Sequence, residues 1–256
     1  MERNTLRNIL LRAQYRIGTL ALDSLNKPSL TERPECFIGL DASYSKKYGA
    51  VAVAALTDAY GNIKSYSIAV GQPPIEYIPG LLAFREAPIL YTAYQELREK
   101  CENQVVLVDG HGIAHPRYAG IASHLGLALR KPSIGAAKRR LYGVEYSLSR
   151  GCRQYPCIAG ELIDPKASRK LATIIFASKR NKIYVSPGAY ISLQKATKII
   201  LSLLQPQISP RMPTPIYYAD KISRNIARCL DRGDCNPTAI RRGVLDSINL
   251  IDNTSI

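Results

Sequence analysis

The stretch Val105 to Arg117, VVLVDGHGIAHPR, constrains what this chain can fold into more than any other. Four apolar residues, three of them β-branched, run into an aspartate, and a loop with two glycines and two histidines follows. The pattern predicts a buried strand that delivers Asp109 to its C-terminal end, where open α/β sheets commonly place their sites. Asp-Gly is also ordinary turn chemistry, so the stretch alone leaves a site and a plain turn both open. Two further carboxylates, Asp41 and Glu86, stand in equally unusual surroundings.

Around this stretch the chain reads as a mixture of strands and helices. Leu6, Ile9, Leu10, Ala13, Ile17, Leu20 and Ala21 fall at helical spacing with arginines between them, which predicts an amphipathic helix over residues 5–25. A proline-containing loop from Asn26 to Pro34 comes next. Strands are then expected at Cys36–Tyr44, Val51–Leu56 and Ile63–Val70, joined by short turns. Three consecutive strands so joined suggest an antiparallel meander rather than alternating βαβ units. Pro73, Pro74 and Pro79 break the chain, and a helix is expected from Leu81 to about Lys100. After the glycine-histidine loop, Tyr118–Leu129 reads as a helix and Pro132–Gly135 as a short extended piece. Strands at Ile158–Ile163 and Leu171–Ala177 and a helix at Ser192–Leu204 follow. The prolines between Gln205 and Pro215 predict extended chain, and a basic helix is expected over Tyr218–Leu230. One domain spanning 1–256 is the simplest organisation, with a helix in residues 1–30 on a core of 36–230 and no clear signal in the tail.

The charge balance suggests a partner. The 256 residues carry 35 Lys and Arg against 20 Asp and Glu, a net charge of +15, and phosphate neutralisation favours so basic a surface. No apolar run reaches the length of a membrane span, and the N-terminus lacks the apolar core of a secretory signal, so a cytoplasmic protein is expected. The six cysteines, at 36, 101, 152, 157, 229 and 235, form no C-x-x-C and have no histidine nearby. Inside a cell, free thiols are the expectation, with local disulfides an alternative in a hyperthermophile.

The three carboxylates can be considered together. Asp41 ends an apolar strand, Glu86 sits in the first turns of a helix behind a Pro-Gly break, and Asp109 ends the central strand. Acids converging at strand ends are tolerable only with a cation among them, and hard oxygen ligands select magnesium or manganese over zinc. In a basic protein, carboxylate-held metal points to phosphodiester cleavage. Each acid singly reads equally well as a cap or a surface ion pair.

Four segments together resemble the endonuclease V family, nucleases acting on hypoxanthine-containing nucleic acid. They are GLDASY with the AVAVAAL that follows, YIPGLLAFREAP, VLVDGHGIAHPRYAGIASHLGLALRKPSIGAAKRRLYG and YVSPGAYISLQKA. The similarity runs from about residue 36 to residue 200. It implies an RNase H-like fold, a mixed sheet opening with three antiparallel strands and flanked by helices. It also implies Asp41, Glu86 and Asp109 as the acidic set holding Mg²⁺ or Mn²⁺, with Lys138 near the scissile phosphate.

The resemblance further implies that Tyr77, Ile78, Pro79 and Gly80 form a wedge loop, although Glu76 stands where the family has proline. An everted base would lie against backbone at Gly80, Leu82 and Gly110, with His111 or Ile121 nearby. His115 and Arg117 match the family's loop and are expected on phosphate, with loop bracing the alternative for His115. Asp220 falls where the family carries a histidine or acid near the metals, while Tyr217 replaces a family arginine. The expected activity is a magnesium-dependent nick in deoxyinosine-containing DNA by a monomer. The alternatives are an inosine-specific ribonuclease, another RNase H-like nuclease, and a non-catalytic nucleic-acid-binding module.

Overall fold

The structure is a computed structural model that describes residues 3–27, 33–148, 152–236 and 240. Part of the loop expected at Asn26–Pro34 and nearly all of the expected tail lie outside the described residues. In chain order the elements are α1 (Arg3–Leu25), β1 (Cys36–Ser45), β2 (Gly49–Asp58), β3 (Ile63–Gly71), α2 (Leu82–Glu96), β4 (Gln104–Asp109) and α3 (Ile121–Leu129). There follow β5 (Ser133–Ala137), β6 (Val144–Ser147), β7 (Cys157–Ile163), β8 (Lys170–Ser178), β9 (Asn181–Ala189), α4 (Leu193–Leu203) and α5 (Thr214–Arg232). The strands form one nine-stranded sheet in the order β3-β2-β1-β4-β5-β9-β8-β7-β6. β1, β2 and β3 are the antiparallel meander, and β4 and β5 add parallel to β1. Among the described residues no helix is long and apolar enough to cross a membrane.

The apolar run of β4 is explained by burial on both faces, as in parallel strands generally. Val105 and Leu107 join Phe37 of β1 beneath α4, where Ile199, Ile200 and Leu203 cover them. Val106 and Val108 join Ile38 and Leu40 on the opposite face, under Leu90 and Ala93 of α2 and Leu125 of α3. β2 alternates in the same way, with Val51, Val53 and Ala55 facing α5 and Ala52, Ala54 and Leu56 facing α2.

Several elements differ from expectation for identifiable reasons. The extended piece at 132–135 is the central strand β5, and β9 was not anticipated because Pro187 and Gly188 argue against a central strand. Pro187 lies past the end of the β8 ladder, at a register shift in the β5–β9 pairing, so its missing N–H breaks no bond there. The four-residue β6 gave no pattern to find. α3 starts at Ile121 because Tyr118 takes a left-handed conformation (φ 54°), and α2 ends at Glu96. α5 starts four residues early, since Pro215 occupies the first turn, where its absent N–H costs nothing.

The free-thiol expectation is overturned. All six cysteines are paired, as Cys36–Cys101, Cys152–Cys157 and Cys229–Cys235. Spacing could not reveal the first pair, because Cys36 meets Cys101 only through the parallel β1–β4 register that sets Cys36 beside Gln104.

Candidate active site

Strand parity assembles the acidic centre. Side chains two apart share a face, so Gly39, Asp41, Ser43 and Ser45 of β1 follow Phe37, and Asp109 follows Leu107. α5 packs along this face. Gly39 admits it, because a Cβ there would lie 2.0 Å from the Pro215 carbonyl oxygen. Farther along, Ser223 donates to Asp41 Oδ2 (3.1 Å) and its Oγ meets Ser43 Oγ at 2.9 Å. At the far end Asp231 accepts from Ser45 Oγ (2.6 Å) and from the backbone N–H of Lys46 (2.9 Å). This docking brings Asp220 to Asp41 and Asp109, with one carboxylate oxygen of each within 4.8 Å of the others.

The electrostatics of the three acids follow from crowding and burial. Asp41 is pushed up to about 8, first by burial and then by the charges of Asp109 and Asp220. Burial also raises Asp109, against the pull of Lys138, whose ammonium lies 2.5 Å from Asp109 Oδ2. Lys138 comes from the end of β5, immediately beside β4. Arg224, one turn beyond Asp220, pairs with it at 2.7 Å. An all-oxygen set that resists ionisation in this way fits a hard divalent cation. Glu86 stands one step outward, accepting from Tyr44 Oη at 3.1 Å. It is raised chiefly by burial and further by the charge of Asp109.

The next residue after Asp109 begins a second feature. A cavity of about 230 Å³ opens beside the carboxylates, and Gly80, Leu82, Gly110, His111 and Ile121 line it. Tyr77 stands on its rim, 60% exposed. Leu82 and Ala83 open α2 and line the cavity, and no side chain caps the first turn of that helix. Ile78 and Pro79 shape the loop without lining the cavity, and the Ile78 carbonyl accepts from Leu81 N–H (2.9 Å).

His115 also lines the cavity but is 4% exposed, and its Nδ1 accepts from Arg117 N–H (3.1 Å). Arg117 in turn donates to the Gly80 carbonyl (3.0 Å). Both residues brace the loop, a role in which Arg117 had not been anticipated. Gln14 of α1 and the segment Arg139–Leu141 complete the walls. Gln14 was missed entirely, because it looked like one more polar position on an amphipathic helix.

The buried histidines make the fold acid-sensitive. Burial pushes His115 down to about 3, with help from the Arg117 charge, and pushes His111 and His124 down to about 4. Below pH ~6.5 the unfolded chain binds protons that the fold refuses, so stability falls as pH falls. Each histidine should cost roughly 2 kcal/mol by about pH 5. Urea midpoints at about pH 7.5 and about pH 5 test this. The His124→Gln variant should lose about a third of the dependence, which separates the histidines from the carboxylates' opposite contribution.

The sequence profile of the endonuclease V family matches residues 20–221. An endonuclease V from Desulfurococcus amylolyticus is 40% identical over 192 residues, covering 73% of this chain and 79% of the relative. The crystal structure of endonuclease V from Streptomyces avermitilis superposes with a TM-score of 0.73 at 27% identity, covering 89% of this chain and 94% of that one. That of Ciona intestinalis, in complex with DNA containing an inosine followed by a ribo-adenosine, gives 0.72 at 25%, covering 89% and 99%. A meander-first mixed sheet, an aspartate triad drawn from two adjacent strands and a helix, and this likeness across most of the chain agree: the protein belongs to the endonuclease V family.

Proposed function

We propose that the protein is a magnesium-dependent repair endonuclease, able to use manganese. It recognises deoxyinosine in DNA and nicks the same strand at the second phosphodiester 3′ to the lesion, leaving 3′-hydroxyl and 5′-phosphate ends. One observation carries the reading: the metal-competent carboxylate of Asp109 and the cavity wall at Gly110 are consecutive residues. Base recognition and strand cleavage are therefore neighbours.

Each group has a defined task. Asp41, Asp109 and Asp220 would hold the divalent ion, which when bound would supply a polarised water and charge neutralisation at the leaving oxygen. Lys138 lies within reach of the same phosphate and steadies its charge, while Glu86 adds a carboxylate at the outer edge. Backbone N–H groups at the start of α2 face the 6-oxygen of hypoxanthine. Adenine's 6-amine would find donors there and no acceptor, which disfavours it. Tyr77 fills the gap left by the everted base. Arg224, Arg228 and Arg232 continue the i+4 ridge that starts at Asp220, all exposed, about 6 Å apart, and suited to a phosphate backbone.

The test is a labelled duplex with one deoxyinosine, with and without magnesium, beside a matched inosine-containing RNA. A magnesium-dependent nick on the 3′ side is expected in the DNA. Equal cutting of an undamaged duplex would overturn the proposal. The RNA arm is included because the Ciona relative was crystallised with a ribonucleotide after the inosine, and faster RNA cleavage would reassign the substrate. Tyr77→Ala should lower the preference for inosine over adenine about tenfold, since stacking on an aromatic contributes ~1–3 kcal/mol per base. Its melting temperature should barely move, and the ratio of single-turnover rates measures the effect.

A further inference from the structure

Gln14 lies in α1, outside residues 20–221 that the family profile matches, yet its side chain is 1% exposed and reaches the cavity wall. Its Nε2 donates to the Gly80 carbonyl at 3.0 Å and to the Ala119 carbonyl at 3.4 Å. Its Oε1 accepts from Arg117 Nε at 2.5 Å, and the same guanidinium donates to the Gly80 carbonyl at 3.0 Å. The partners fix which way the amide points, because a flip would set its oxygen against two carbonyl oxygens. One amide thus joins the rim loop carrying Tyr77, the loop that follows Asp109, and α1. The helix is seated closely enough to do this because position 18 is glycine. A Cβ there would lie 1.9 Å from the Arg117 carbonyl oxygen.

We infer that Gln14 is a positioning residue for base discrimination. It sets the distance between the rim loop and the opposite wall of the cavity, so that the N–H donors at the start of α2 are held at hydrogen-bonding distance from the 6-position of the bound base. This rests on the hypoxanthine pocket proposed above. A rigid pocket rejects a base with the wrong edge because its own polar groups would be left unpaired. A pocket with a slack rim can shift to accommodate that base.

Two variants and one control test the inference. Gln14→Ala removes all three bonds. Gln14→Glu keeps the shape and the Arg117 contact but sets a carboxylate against the Gly80 and Ala119 carbonyls. Both should lower the inosine-to-adenine ratio of kcat/KM about tenfold or more, with most of the change in the adenine arm. Ser24→Ala is the structural control. Ser24 is also buried in α1 and accepts from Tyr190 N–H (3.2 Å), so its loss should lower the melting temperature and leave the ratio alone.

A second readout does not depend on activity. The chain has no tryptophan, so Tyr77→Trp places a single tryptophan on the rim loop, which red-edge excitation reads apart from the tyrosines. In that background both Gln14 variants should raise acrylamide quenching about twofold, as expected for a loop released from its hydrogen bonds. A wild type that ignores inosine would defeat the function reading while the quenching experiment still judged the latch. Unchanged quenching in both Gln14 variants would overturn the latch itself, as would a lowered ratio in Ser24→Ala matching theirs.

Discussion

Asp41→Asn is expected to abolish cleavage while making the metal-free protein harder to unfold. The loss of rate should be about 10³-fold or more, since in the proposed mechanism Asp41 would be one of the carboxylates holding the ion that would polarise the attacking water. The gain in stability follows from the electrostatics of the same site. In the fold Asp41 is pushed up to about 8 by burial and by Asp109 and Asp220, whereas in the unfolded chain it ionises near pH 4. Between these values the folded state binds the extra proton, so stability declines as pH rises through the window. An asparagine carries no charge to bury, and a gain on the order of 1 kcal/mol near neutral pH is expected. Added magnesium should raise the melting temperature of the wild type and not that of the variant. At about 100 times the dissociation constant the wild-type gain is ~2.7 kcal/mol. Thermal melts with and without metal test both parts. A variant that cuts normally would sink the metal assignment, and one that melts lower in metal-free buffer would sink the electrostatic argument.

Replacing Cys36 and Cys101 together by alanine should cost roughly 4 kcal/mol of stability. The bond closes a loop with a sequence separation of 65, and the loop-entropy relation gives about that figure. For a chain of this size the melting temperature should fall by about 10 °C. The Cys152–Cys157 and Cys229–Cys235 pairs close separations of 5 and 6 and should matter less by the same relation. Cys229–Cys235 spans the turn where Gly233 ends α5 in a left-handed conformation, so its removal should fray that end and leave the sheet intact. Intact mass after alkylation under denaturing, non-reducing conditions should show no modified thiol. Six alkylated cysteines would overturn the pairing.

How much of this was legible in the sequence depended on the range of the interaction. The first three strands could be read because alternation and turn chemistry are local, and Asp41 and Asp109 stood out because an acid at the end of an apolar strand is locally odd. That both face α5 is a matter of parity and register, which appear only once β1 and β4 pair. Asp220 was visible as a family position, but its approach depends on Gly39 admitting α5 and on Pro215 starting that helix early. β9 was hidden by Pro187, which is harmless where the ladder shifts register. Gln14 and the Cys36–Cys101 bond left no local trace, because each joins segments far apart in the chain.

The triad draws its members from an early strand, a central strand and a late helix. Any sequential route to the native state completes that set only when α5 lies down, since Asp220 arrives with it. A nascent or half-denatured copy therefore holds the DNA-attracting charge of the chain without the means to sever a strand. For a member of a nuclease family, competence is withheld until assembly is finished.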